Sequence, residues 1–79
     1  LRIITALNDN KDAVYRFNDK VITLNKGESV VFEPDKVKHG MENNSTNTPR
    51  YALVQIVKVY PFSDWFKDFL YKNNTIDVR

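Results

Sequence analysis

The stretch Val37-Lys38-His39-Gly40-Met41-Glu42-Asn43-Asn44-Ser45-Thr46-Asn47-Thr48-Pro49-Arg50, and the run Tyr51-Ala52-Leu53-Val54-Gln55-Ile56-Val57-Lys58-Val59-Tyr60 that it feeds, decide how this chain folds. The first holds the only histidine in the chain. The second is the most strand-like apolar run, and Arg50 opens it. Alternation along Val37 to Met41 places His39 on the side of Val37 and Met41, the expected interior side of a fifth, short strand. The seven residues Asn43 to Pro49 hold no apolar side chain except the proline ring and read as a loop. Arg50 to Tyr60 is apolar on both faces, with Ala52, Val54 and Ile56 on one and Tyr51, Leu53, Val57 and Val59 on the other. Such a strand is expected at the centre of a sheet, covered on both sides. A histidine and an arginine aimed into an apolar interior need partners, because an unpaired buried polar or charged group is costly.

Upstream of this stretch, short β-branched runs alternate with turn chemistry. Leu1 to Leu7, Ala13 to Phe17, Lys20 to Leu24 and Ser29 to Phe32 read as strands. Asn8 to Asp12, Asn18-Asp19 and Asn25 to Glu28 separate them, with Gly27 suited to positive φ. Pro34 stops the fourth strand. Downstream, Pro61 ends the long run, Ser63 suits an N-cap and Asp64 suits a first helical turn. Phe62, Trp65, Phe66, Phe69 and Leu70 recur at helical spacing and predict a helix of about three turns, packed by its aromatic face on the outside of the sheet. Asn73-Asn74 ends it, and the tail to Arg79 is expected to fray. Six strands at hairpin spacing followed by one helix predict a single, mainly β domain over residues 1–79, an antiparallel sandwich or barrel.

Composition narrows the function classes. The chain has 79 residues, no cysteine, twelve basic and ten acidic residues and a net charge of +2. Disulfides and thiolate metal sites are excluded. The basic residues are dispersed among acidic ones, with none of the stripes that nucleic-acid binding uses. No apolar run approaches the ~20 residues of a membrane span, and no signal-peptide pattern is present. A cytoplasmic protein is expected, with no nucleic-acid or membrane partner. The chain starts at Leu1 inside a strand-like run, so the expectation is a portion of a longer protein. Glycine-rich phosphate loops, serine elbows and calcium-loop spacings are absent, and one histidine cannot by itself make a zinc site.

Gly27, Pro34, His39, Asn43 and Arg50 remain. The ordered set Asn18 to Phe32, then His39-Gly40-Met41-Glu42-Asn43, then Arg50-Tyr51-Ala52-Leu53, resembles the C-terminal half of a 2-oxoglutarate- and iron(II)-dependent dioxygenase, nearest to the aspartyl/asparaginyl β-hydroxylase and proline hydroxylase group. Arg2 and Asn8 fit the early part of the pattern, so the resemblance covers roughly residues 2–60. It implies a partial double-stranded β-helix, jelly-roll or cupin-like, with a C-terminal helix. By resemblance His39 is an iron(II) ligand, Arg50 grips the far carboxylate of 2-oxoglutarate, and Arg2 contacts co-substrate or substrate. Imidazole suits iron(II), and a planar guanidinium fork matches a carboxylate.

The implied activity is hydroxylation of an amino acid or of a side chain in a peptide or protein. The family's upstream His-x-Asp (or His-x-Gly) motif is missing, so 79 residues supply one iron ligand. This chain alone is expected to be inactive, either as part of a longer enzyme or as a relative that has lost the metal. The spacing of Gly27, Pro34, His39 and Asn43 is also close to a cupin motif. A non-catalytic β-module is the alternative, binding or self-associating through open strand edges.

Overall fold

The structure, a computed structural model, describes residues 1–58, 64–74, 76 and 78. Among the described residues six strands precede one helix: β1 (Arg2–Ala6), β2 (Ala13–Phe17), β3 (Lys20–Ile22), β4 (Ser29–Phe32), β5 (His39–Asn43), β6 (Ala52–Ile56) and α1 (Asp64–Asn74). They form two antiparallel three-stranded sheets, ordered β4-β1-β6 and β3-β2-β5. The winding is nested: β2 and β3 make a hairpin inside the β1–β4 pair, after which β5 returns to β2 and β6 to β1. The mainly β fold with a C-terminal helix is as the sequence predicts.

The turns follow from residue chemistry. Asn18 takes a left-handed φ of 54° to close the β2–β3 hairpin, which an asparagine tolerates better than most residues. Gly27 sits at φ 88°, and its N–H bonds the carbonyl of Ala6 at 2.8 Å, tying the turn before β4 to the end of β1.

Residues directly opposite in an antiparallel pair point to the same face. Register therefore assigns Ala6, Val30 and Phe32 to the inner face of one sheet, and Tyr15 and Phe17 to that of the other. These five meet with Leu24 and Val78 as the main core cluster. A second cluster lies outside the first sheet, where Leu70 and Tyr71 of α1 pack on Ile3 and Val31. The helix docks as expected, but only Phe66, Leu70 and Tyr71 of its apolar residues turn to the sheet; Trp65 and Phe69 are exposed. Among the described residues no helix is long and apolar enough to cross a membrane.

Three expectations need correction. First, among the described residues β6 is an edge strand paired only with β1, and all five of its residues are exposed. Apolar residues on both faces do not make a strand central when only one neighbour is present. Second, the strand around His39 begins two residues late, because Val37 closes a turn onto the carbonyl of Glu33 at 3.1 Å. Third, the tail is not frayed where it is described: Val78 is buried in the main core and Ile76 packs against it. The expected N-cap at Ser63, with Phe62 and the end of the long strand at Val59 and Tyr60, lies outside the described residues.

Glu33, just after β4, joins Lys36 at 3.2 Å and Lys67 of α1 at 3.5 Å. Burial opposes its charge, but the hydrogen bonds and charges of the two lysines outweigh that and hold its pKa below the usual 4.5. A carboxylate lowered in the folded state stabilises the fold above its unfolded pKa, and that contribution is lost as pH falls through the folded value. Acid titration of thermal stability is expected to show a loss below about pH 4.5 that Glu33→Gln flattens. An unchanged acid limb in Glu33→Gln would remove Glu33 as its source.

Candidate functional site

His39 opens β5 opposite Phe17, which puts it on the inner face. The expected inward direction is thus realised, yet the residue is exposed because β5 is the edge of its sheet. Its ring lies 4.9 Å from that of Phe32, tilted by 52°. Its Nδ1 is 2.9 Å from the carbonyl oxygen of Val37. A carbonyl can only accept, so Nδ1 carries a proton and donates it, and in the neutral imidazole the lone pair then sits on Nε2. That tautomer is the one a metal ligand needs. Among the described residues no group of three His, Cys, Asp or Glu side chains could hold a metal ion. The described residues therefore do not make up an iron site.

Arg2 pairs with Phe32 on β4 and Ile56 on β6, again on the inner face. Its guanidinium carbon stands 5.9 Å from the centroid of the Phe32 ring. Arg2 and His39 thus share one aromatic ring, approached from the two sheets.

Arg50 lies towards the other end of the sandwich. It precedes β6 by two residues and shares the parity of Ala52, so it belongs to the inner side. Its Nη1 donates to the carbonyl of Asn8, and its Nη2 donates to those of Asn10 at 2.9 Å and Leu24 at 3.0 Å. Three of the five N–H donors of the guanidinium are therefore spent on backbone. The buried Nε has no hydrogen-bond partner, and neither does the buried hydroxyl of Tyr15. Burial pushes the Tyr15 phenol up, and the Arg50 charge draws it part of the way back, so the two groups lie within electrostatic reach. Tyr15 in turn follows Phe17 at 6.5 Å and Phe32 beyond it at 4.9 Å, a ring row leading from Arg50 towards His39.

A polar lattice holds Arg50 in place. Asn10, 7% exposed, donates through Nδ2 to Asn43 Oδ1 (3.2 Å) and to the carbonyls of Thr48 (3.0 Å) and Pro49 (3.3 Å). Its Oδ1 accepts from Asp12 N (3.1 Å) and Ser45 Oγ (2.7 Å). Asn8 adds bonds from Nδ2 to the Pro49 carbonyl and from Tyr51 N to its Oδ1, each 2.9 Å. The turn after β1 is thereby fastened to the loop before β6.

The structure thus brings Arg2 to His39, and Arg50 to Tyr15, along one interior. Sequence reasoning missed Tyr15 and Asn10. Alternation with Ala13 and Phe17 could have placed Tyr15 inside; nothing local distinguishes Asn10 from the other turn asparagines. A shallow hollow of ≈ 230 Å³ beside His39 is lined by Arg16, Asn18, Lys38, His39 and Gly40. Its arginine is paired with Glu42, with Nε 2.8 Å from Oε1, which leaves it little to offer an anion. No family model, curated protein or solved structure matches this chain.

Proposed function

We propose that this chain forms the 2-oxoglutarate-binding portion of an Fe(II)/2-oxoglutarate-dependent hydroxylase barrel, acting on an amino acid or a peptide or protein side chain. One observation carries the reading: Arg50 Nε and the Tyr15 hydroxyl are both buried and unpartnered, and the Arg50 charge acts on the Tyr15 phenol. A carboxylate is the group that accepts from both and answers the cationic charge. Leaving both donors dry costs roughly 1–3 kcal/mol each. The nested winding of the two sheets, with β5 and β6 at the open edges, supports a jelly-roll barrel.

2-Oxoglutarate, when bound, supplies the reducing equivalents of such an oxidation. Arg50 and Tyr15 would hold its far carboxylate, and the lattice around Asn10 fixes the arginine in advance. His39 lies on the same inner side. With one ligand among the described residues, no step through iron is derived.

A second reading has its own observation. Three backbone carbonyls on Arg50 are what a purely structural arginine would show. They favour a metal-free, cupin-like module that binds a partner. The two readings separate on Tyr15→Phe, which removes a ligand contact without touching those carbonyls: weaker 2-oxoglutarate binding supports the hydroxylase portion, and unchanged binding rejects it.

A further inference from the structure

The described residues include three arginines. Arg16 gives Nε and Nη2 to Glu42, and Arg50 gives its Nη groups to three carbonyls. Arg2 has no side-chain hydrogen bond and no ion pair among the described residues; its guanidinium has the Phe32 ring alone. Yet Arg2 is partly buried and faces inward, directly between Phe32 on β4 and Ile56 on β6. A partly buried guanidinium with five unused N–H donors lacks an acceptor.

The surroundings narrow what that acceptor is. A guanidinium over a ring face is held by cation–π attraction and keeps its N–H edges for another group. A planar fork with a single positive charge matches a carboxylate, which is planar and carries one negative charge. Ile56, paired directly with Arg2, is 76% exposed, so bare apolar surface lies beside the fork.

Register keeps this place apart from Arg50 and Tyr15. Arg2 meets Ile56 at one end of the β1–β6 ladder, and Ala6 meets Ala52, two residues from Arg50, at the other. The Arg50 guanidinium stays at that far end, on the carbonyls of Asn8, Asn10 and Leu24. The two arginines therefore serve two different groups.

We propose that Arg2 holds the carboxylate of a second ligand, an acid whose branched apolar group lies beside the carboxylate and packs on Ile56. The His39 ring stands 4.9 Å from the same Phe32 ring, so this ligand is anchored at the His39 end of the interior. That the ligand is the molecule to be hydroxylated rests on the hydroxylase reading; that Arg2 holds a carboxylate does not. Under that reading the substrate is a free acid or the C-terminal residue of a peptide, and not an internal side chain.

Nuclear magnetic resonance on the ¹⁵N-labelled chain is the test, with isovalerate as probe. The signal followed is the Nε–H of Arg2, assigned by its loss in Arg2→Lys. Isovalerate is expected to shift it saturably, acetate to bind about tenfold more weakly for want of the apolar group, and neutral isovaleramide to leave it unmoved. Arg2→Gln is expected to weaken isovalerate at least about tenfold, read from the backbone amide of Ile56. If Arg2→Gln does not fold, Arg2→Lys carries the comparison, because it keeps the charge and loses the fork. The peptide Ala-Ala-Leu binding as well as isovalerate assigns the site to a chain terminus, and isovalerate binding alone assigns it to a free acid. No shift with isovalerate, an equal response to isovaleramide, or equal affinity in wild type and the Arg2 variant overturns the proposal. An Arg2 signal that 2-oxoglutarate moves equally in wild type and Tyr15→Phe overturns it too, since Arg2 then holds the co-substrate. Isovalerate binding with no 2-oxoglutarate binding keeps this site and removes the hydroxylase reading; the opposite pair of results does the reverse.

Discussion

Replacing Phe32 by alanine is expected to remove about 3–5 kcal/mol of folding stability, the usual cost of emptying a buried phenylalanine site. At roughly 0.05–0.15 kcal/mol per residue, the whole 79-residue chain holds about 4–12 kcal/mol. A single truncation thus removes between about a quarter and all of it. Phe32 is fully buried and sits where the two sheets meet. It touches the Phe17 ring at 4.9 Å, the His39 ring at 4.9 Å and the Arg2 guanidinium carbon at 5.9 Å. The core is small, so few neighbours can move in to fill the space. Urea unfolding should show a midpoint at least about a quarter lower than wild type, or no folded baseline. Met41→Ala, on the exposed edge, should change stability by less than about 0.5 kcal/mol. A Phe32→Ala chain within about 1 kcal/mol of wild type would mean that the two sheets are held together elsewhere.

The second large effect is at Asn10. Asn10→Ala is expected to cost about 2–3 kcal/mol, because five hydrogen bonds lose their centre in a buried position. The lost partners sit on the β1–β2 turn, at the end of β5 and on the loop before β6. Amide exchange should therefore rise at Asn44, whose N–H bonds the Asp12 carbonyl at 2.9 Å, and at Tyr51, held by Asn8. Asn10→Asp separates size from chemistry. It keeps the acceptor side but sets a carboxylate against the carbonyls of Thr48 and Pro49. It should be as unstable as alanine at neutral pH and recover as pH falls, because a carboxyl facing carbonyl oxygens is protonated well above its usual range. Equal stability of Asn10→Asp and wild type at pH 7 would show that the lattice does not bear on the fold.

These two residues also show what the sequence carried and what it did not. β2 and β4 begin and end where their flanking turn residues said they would, because Asn18 and Gly27 supply the left-handed backbone the turns require. Phe32 was legible as core from its place in a β-branched run between Gly27 and Pro34. β6 was legible as a strand but not as an edge: alternation reports which faces are apolar, not how many neighbours a strand has. Val78 is a single valine in a polar tail, and its burial depends on contacts far away in the chain.

The same holds for the candidate site. His39 and Arg50 stand out by residue type, and the inner face of His39 followed from alternation. Asn10 finds Asn43, Thr48 and Pro49 more than thirty residues away. The unpartnered hydroxyl of Tyr15 exists only once both sheets are packed. Long-range polar satisfaction is a property of the assembled fold, and no local pattern encodes it.

The central claim is that Arg50 and Tyr15 hold a carboxylate of 2-oxoglutarate between the sheets, and titration calorimetry of Tyr15→Phe tests it most directly. Phenylalanine removes a buried, unsatisfied hydroxyl, so the ligand-free variant should be as stable as wild type or slightly more so. The lost charge-assisted bond is worth about 1.5–3 kcal/mol, so 2-oxoglutarate should bind roughly ten- to a hundredfold more weakly. Saturable binding to the wild type with that loss in a stable Tyr15→Phe variant is the predicted result. No saturable binding to the wild type, or equal affinity in the two proteins, would contradict the account.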